Sequence, residues 1–231
     1  MKDQVKGGKR GYHAPRRAEQ AAVTRRAVLD AARELFVEQG YAATTVAQIA
    51  RRADVAVDTV YAAVGRKPAL LRELVETSLS GTDHPVEASR RDYVLRIRAA
   101  RTAAEKIEIY AAAVTELQQR LAPVFLALRD AAATDAECST LWSRIAERRA
   151  RNMRDFAADL RTTGELRPDL TDDEVADTVW SMNAPEYWVL LVHDRGWSPE
   201  QFGARLRDSW IRILLPPNHW PSPEPELPIE R

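Results

Sequence analysis

With one cysteine in 231 residues, Cys138, the chain cannot close an intrachain disulfide, and a lone thiol reads as a small buried hydrophobe in a reducing compartment. Its four histidines, His13, His84, His193 and His219, are scattered without ligand spacing, so neither a metal site nor a cofactor is expected. No run of 18 apolar residues exists, which leaves nothing to span a bilayer. Positive charges near the N-terminus are not followed by the apolar core of a secretory signal. The expectation is therefore a cytoplasmic protein with no membrane partner. Glycine-rich phosphate loops, Ser/His/Asp groupings and paired metal ligands cannot be assembled either, so an enzyme is not expected. Period-2 alternation is nearly missing, which points to an all-α fold.

What is present begins with residues 44 to 67, TTVAQIARRADVAVDTVYAAVGRK. Thr45 with Gln48 three residues later forms a capping box, which satisfies free amide donors and starts a helix. Val46, Ile49, Ala50 and Ala53 follow at helical spacing. Asp54 falls where the chain must turn, Val55 can plug the corner, and Val57 to Ala63 can form a second helix. Val60 is its core residue, leaving Val57, Asp58, Thr59, Tyr61, Ala62 and Ala63 to face outward. That is helix-turn-helix geometry, in which the second helix enters the major groove of DNA. The preceding segment, Arg25 to Gln39, carries Val28, Leu29, Ala32, Leu35 and Phe36 on one stripe, and Gly40 follows as a helix stop.

Taken together, residues 25 to 71 resemble the DNA-binding domain of the tetracycline-repressor (TetR) family. The matching pieces are Ala31-Ala32, Leu35-Phe36, Gly40-Tyr41, Thr44-Thr45, Ile49-Ala50, Ala53, Val55, Thr59, Tyr61, Lys67 and Leu70. The resemblance implies an N-terminal three-helix helix-turn-helix domain followed by a C-terminal helical domain for ligand binding and dimerisation. It implies that Lys67, Tyr61 and Thr45 contact the DNA backbone beside a recognition helix spanning Val57 to Ala63. It also implies a homodimer on a double-stranded operator and a small-molecule effector of unknown identity. The chain departs from the family pattern at Asp54, Ala56, Asp58, Ala63 and Val64. Asp tolerates left-handed backbone better than most residues, so Asp54 can serve the turn. Ala56 cannot cap a helix, a loss of about 1 kcal/mol, which Asp58 in the first turn offsets in part through the helix dipole. Asp58 next to phosphates is repelled, but it can accept a hydrogen bond from a cytosine amino group.

The net formal charge is zero, with 34 basic and 34 acidic residues, yet the charge is uneven. Residues 1 to 26 hold Lys2, Lys6, Lys9, Arg10, Arg16, Arg17, Arg25 and Arg26 against Asp3 and Glu19, about +6 in all. Such an arm suits contact with a polyanion, and a solvated tail is the plainer alternative. The expected organisation is a basic flexible arm over 1–20, the helix-turn-helix domain over 21–67, and a connecting helix with a turn-rich hinge over 68–85. An effector and dimerisation domain over 86–215 and a Pro-rich tail over 216–231 follow.

Within the C-terminal part, Pro123 is expected to open a new helix, and a capping box at Thr171 and Glu174 to start one running to about Asp194. Ser198, Pro199 and Gln201 open the last. Val179, Met182 and Val189 on one of these helices, with Phe202, Leu206, Trp210 and Ile213 on the other, form apolar stripes expected at a dimer interface. Closure of the monomer core is the alternative. Pro185 inside a helical pattern should kink it and free the Ser181 carbonyl. Trp180, Asn183 and Tyr187 around that kink, with Tyr110, Phe125, Trp142 and Met153, are the candidate ligand walls, against an ordinary packed core. Arg144, Arg148, Arg149, Arg151 and Arg154 line much of one long helix and could bind a second DNA surface or an anionic effector, with a solvated helix face as the plainer reading. The composite is a DNA-binding transcriptional regulator, a ligand-responsive repressor acting as a homodimer on a palindromic operator. A constitutive DNA binder and an all-helical enzyme are the alternatives.

Overall fold

The computed structural model describes residues 14–82 and 86–220, and among these all regular structure is helical. The chain divides into two compact units, Met1–Leu74 and Val75–Arg231. The division falls inside a helix, ahead of the turn-rich 80–85 stretch, of which residues 83–85 lie outside the described residues.

The first unit is built on α1 (Ala14–Ala43), α2 (Val46–Arg52), α3 (Val57–Ala63) and the start of α4 (Lys67–Ser80). Residues 14–20, expected in the flexible arm, already belong to α1, while residues 1–13 lie outside the described residues. Gly40 breaks α1 with φ +82°, a conformation costly for any residue with a Cβ. The apolar stripe of α1, Val28, Leu29, Ala32, Leu35 and Phe36, is buried with Ile49 and Ala50 of α2, Val60 of α3, and Leu70, Leu71 and Leu74 of α4. Each short helix is thus anchored by one or two side chains, and α1 packs against both.

The second unit is arranged around a long helix, α6 (Ala103–Ala132). It packs against α5 (Asp92–Ala99), α7 (Ala136–Arg161), α9 (Pro185–Trp188) and α10 (Pro199–Leu214), while α8 (Asp172–Met182) lies against α7. Side chains cap the starts of four of them: Thr102 for α6, Asp135 for α7, and the boxes Thr171–Glu174 for α8 and Ser198–Gln201 for α10. Cys138 is fully buried. Gly203 brings α10 close to α6, since a Cβ there would meet Thr115 Oγ1 at 2.7 Å.

Three expectations are corrected here. Pro123 does not open a helix but lies inside α6, where buried Leu121, Ala122, Val124 and Phe125 on both sides hold the helix together despite the missing donor. Pro185 does not kink a continuous helix: α8 stops at Met182, and Ala184 is extended as a residue before proline prefers. Pro185 then begins α9, which continues as a π-helical stretch, Val189–Asp194. Finally, Val179, Phe202, Leu206 and Trp210 have no exposed surface within a single chain, so they close the core of this unit and offer nothing to a partner. Met182 and Val189 are half-buried and Ile213 is exposed. Beyond α10 the Pro-rich segment folds back once, with Trp220 Nε1 donating to Leu215 O at 3.0 Å and Arg212 over its ring. Residues 221–231 lie outside the described residues.

Candidate functional site

The helix-turn-helix is assembled by local hydrogen bonds. Thr45 caps α2, its hydroxyl accepting from Gln48 N at 3.2 Å and donating to Gln48 Oε1, while Gln48 Oε1 takes Thr45 N at 2.7 Å. The turn is closed by Val55 N donating to Ala50 O at 3.0 Å, with Asp54 in left-handed backbone at φ +53°. Asp54 therefore fills the turn as the sequence suggested, and Ala56 starts α3 with no side-chain cap. Around the fully buried Val60, α3 turns Val57, Asp58, Tyr61 and Ala62 to the outside, with Thr59 and Ala63 part-covered.

Two cations tie the helices of this unit together through backbone carbonyls. Arg25, counted above as arm charge, donates from Nη1 to Ala63 O at 3.0 Å and from Nη2 to Glu73 at 2.6 Å, tying the end of α3 to α1 and α4. Lys67, expected at the DNA backbone, donates to Tyr41 O at 2.8 Å and Thr44 O at 2.9 Å and lies 4.0 Å above the Tyr41 ring. Its ammonium fastens the end of α1 to the residue before the α2 cap. Arg52 adds an exposed clamp from α2 onto Glu34 and Glu38 of α1.

The second unit contains a cavity of about 550 Å³, within the range that holds drug-sized molecules, roughly 300–1,000 Å³. Its walls come from α5 (Tyr93, Val94, Ile97), α6 (Tyr110, Val114, Gln118), α7 (Arg149, Asn152, Met153, Phe156) and the α8–α9 break (Asn183, Pro185). Of the seven residues expected around a ligand, Tyr110, Met153 and Asn183 line it. Phe125 and Trp142 instead pack on each other with ring centroids 4.6 Å apart, Tyr187 packs on Phe202, and Trp180 lies under the Arg149 guanidinium. The aromatic spacing that suggested these four is the spacing of ordinary packing between neighbouring helices.

A connected polar group crosses this cavity wall. Asn183 Nδ2 donates to the Tyr110 hydroxyl at 2.8 Å and to Met153 Sδ at 3.0 Å, and Arg149 Nη2 donates to Asn183 Oδ1 at 2.7 Å and to Trp180 O at 3.2 Å. Gln118 Nε2 donates to Asn183 O at 2.6 Å, holding the helix break open. Burial raises the Tyr110 phenol well above its ordinary pKa, so it remains a neutral hydroxyl. Burial also lowers the Arg149 guanidinium below its usual value. The sequence reading treated Arg149 as part of a solvated face, but Arg149 lies four residues from buried Ile145 and four from buried Met153. That i, i+4 spacing puts it on the apolar stripe of α7, and it was the available signal. Its neighbour Arg148 is also drawn inward, to Glu76 at 2.9 Å.

Among the described residues no three His, Cys, Asp or Glu come together to hold a metal, and no helix is long and apolar enough to cross a membrane. Residues 28–74 match the family model described as bacterial regulatory proteins, tetR family. The match covers the helix-turn-helix and the helices on either side of it. Residues 28–74 are thus a helix-turn-helix DNA-binding segment of the kind found in tetR-family transcriptional regulators. No curated protein sequence matches the chain. Solved structures share the fold across both units. The SmeT–triclosan complex is 19% identical with a TM-score of 0.67, covering 88% of this chain and 99% of that one. The fatty acid degradation regulator FadR from Bacillus halodurans is 19% identical with a TM-score of 0.63, covering 81% and 94%. The ketosteroid transcriptional regulator KstR2 of Mycobacterium tuberculosis is 21% identical with a TM-score of 0.55, covering 92% and 97%.

Proposed function

We propose that this chain is a TetR-family regulator, a cytoplasmic, ligand-responsive repressor that binds a palindromic operator as a homodimer, and that it is not an enzyme. The observation that carries DNA reading is α3, whose outward residues Val57, Asp58, Tyr61 and Ala62 stand over a single buried anchor, Val60. In the major groove, Asp58 accepts from a cytosine amino group and Val57 and Ala62 make apolar contact with base edges. Thr45 and Tyr61 bind backbone phosphates, which sets register without reading sequence. The partly exposed apolar residues Met182, Val189 and Ile213, with Leu190 beside them, are the dimer contacts of this reading.

Ligand response rests on the cavity of the second unit and its Tyr110–Asn183–Arg149 group. A neighbour of the same fold was solved as a complex with triclosan, which supports a small-molecule role for this domain. Effector and operator are then linked. If the effector weakens operator binding, operator weakens effector binding by the same factor, typically about 1–3 kcal/mol.

The test uses a duplex selected by the protein and titrated over a salt series. Tyr61→Phe is expected to bind about 0.5–1.5 kcal/mol more weakly at every salt concentration, with unchanged sequence preference and unchanged thermal stability. Equal affinity of Tyr61→Phe and wild type throughout would remove α3 from the DNA interface.

A further inference from the structure

Arg149 is a part-buried cation whose hydrogen-bond partners are all neutral. Nη2 is taken by Asn183 Oδ1 and Trp180 O, the ring faces of Trp180 and Phe125 lie 5.1 Å and 5.9 Å from its Cζ, and Nε and Nη1 have no hydrogen-bond partner among the described residues. A buried charge is costly unless paired, and an unpaired one in a cleft marks a functional group. The carboxylates around the cavity do not supply the missing partner. Glu76 is held by Arg148 at 2.9 Å and Asp159 by Lys106 at 2.7 Å, while Glu87 and Asp155 are exposed. Glu186 acts on Arg149 through longer-range attraction, without an ion pair. Arg91, also on the cavity wall, bonds to a backbone carbonyl, Val86 O, and like the exposed Arg98 at the rim it adds a cation with no carboxylate partner among the described residues. Apolar lining comes from Val94, Ile97, Val114, Phe156 and the Tyr93 ring.

We propose that the cavity takes an apolar organic carboxylate, its anionic end bound by Arg149 and its carbon body lying among Tyr93, Val94, Ile97, Val114 and Phe156. The assignment rests on the effector reading of this cavity and narrows it to a charge and a shape. Guanidinium hydrogens free at Nε and Nη1 match carboxylate oxygens, and a charge-assisted bond in a water-poor site is about twice as strong as a neutral one. Asn183 and Trp180 fix the guanidinium before the ligand arrives, so little side-chain freedom is lost on binding. Tyr110, kept neutral, offers a hydroxyl now spent on Met153 Sδ at 3.4 Å, a weak acceptor that a ligand oxygen outcompetes.

The experiment is equilibrium dialysis of the full chain against 2-naphthoate and 2-naphthamide, and against decanoate and decanamide, pairs that differ only in charge at one end. Each carboxylate is expected to bind about tenfold or more tighter than its amide. Arg149→Gln is expected to shrink that ratio to about twofold or less, Arg149→Lys to retain part of it, and Arg91→Gln to retain most of it. Equal binding of acid and amide to wild type, no carboxylate binding at millimolar concentration, or a ratio that survives Arg149→Gln overturns the proposal. So does a ratio lost in Arg91→Gln. If Arg149→Gln does not fold, the wild-type ratio and the Arg149→Lys and Arg91→Gln variants decide. Affinity for the selected duplex is measured alongside. A carboxylate that binds with the expected preference yet leaves DNA affinity unchanged removes the effector reading and leaves the carboxylate site. A neutral or cationic molecule that fills the cavity and shifts DNA affinity, where carboxylates do not, does the reverse.

Discussion

Helices α3 and α7, to which we assign the two recognition sites, present their polar residues in opposite surroundings. On α3 one side chain, Val60, is buried and the rest of the helix is surface. On α7 a whole stripe, from Cys138 to Leu160, is buried, and Arg149 stands inside that stripe. An exposed reading head has to be held rigid by what lies behind it, which is the work of Arg25 and Lys67 on the backbone carbonyls of Ala63, Tyr41 and Thr44. A cavity has to be held open from within, which is the work of Gln118 and Arg149 on the Asn183 break. Polar groups therefore support the surface site from outside the apolar core and support the cavity from inside it.

The largest expected effect breaks the second half of that comparison. Trp210, stacked on Tyr110 at 5.5 Å, joins the cavity floor to the core. Trp210→Ala should destabilise the second unit by about 3–5 kcal/mol in denaturant titration, as for large aromatic truncations elsewhere. A variant that keeps wild-type stability but becomes monomeric would return Trp210 to the interface first expected for it. Next comes Lys67→Ala. Loss of its charge-assisted bonds should lower stability by about 1.5–3 kcal/mol, and DNA affinity should fall as the recognition helix loosens. Tyr61→Phe, by contrast, should change affinity alone. Lys67→Ala with wild-type stability and a salt slope lower by about 1 would mean that the lysine acts on phosphate rather than on its own backbone.

The smallest effect separates two capping boxes of the same design. Gln48 caps α2 as a neutral amide, whereas Glu174 caps α8 as a carboxylate whose pKa is lowered by the Thr171 backbone and hydroxyl. A lowered carboxylate pKa means that the fold favours the charged form. The contribution is full above the ordinary glutamate value, about 4.3, and disappears as pH falls through the lower folded value. Acid should therefore loosen the start of α8 and leave the start of α2 intact, followed by the Thr171 and Thr45 amide resonances. Glu174→Gln should remove the difference.

The first unit was legible because its signals are local: a capping box, a turn residue and a buried valine within twenty residues. The departures were legible too, since Asp54 adopts the left-handed backbone that its side chain tolerates and Ala56 leaves α3 uncapped. The bonds of Lys67 to Tyr41 and Thr44 were not, because those partners come from the other end of the motif. In the second unit the helices were legible and their partners were not. Periodicity places Phe202, Leu206 and Trp210 on one face but cannot say whether that face meets α6 or another subunit. The cavity draws on several elements far apart in the chain, so only Tyr110, Met153 and Asn183 of its lining were anticipated. Arg149 was hidden by its basic neighbours, although its position among Ile145 and Met153 marked it as buried.

The most direct test of the account is selection of duplexes from a random DNA pool by the full chain, with Tyr61→Ala carried in parallel. The account predicts enrichment of an inverted repeat whose half-sites lie about one helical turn apart, roughly 34–36 Å. It also predicts loss of that enrichment in a folded Tyr61→Ala protein. A folded wild-type chain that enriches no sequence, or a Tyr61→Ala variant that enriches the same repeat as strongly, would contradict it.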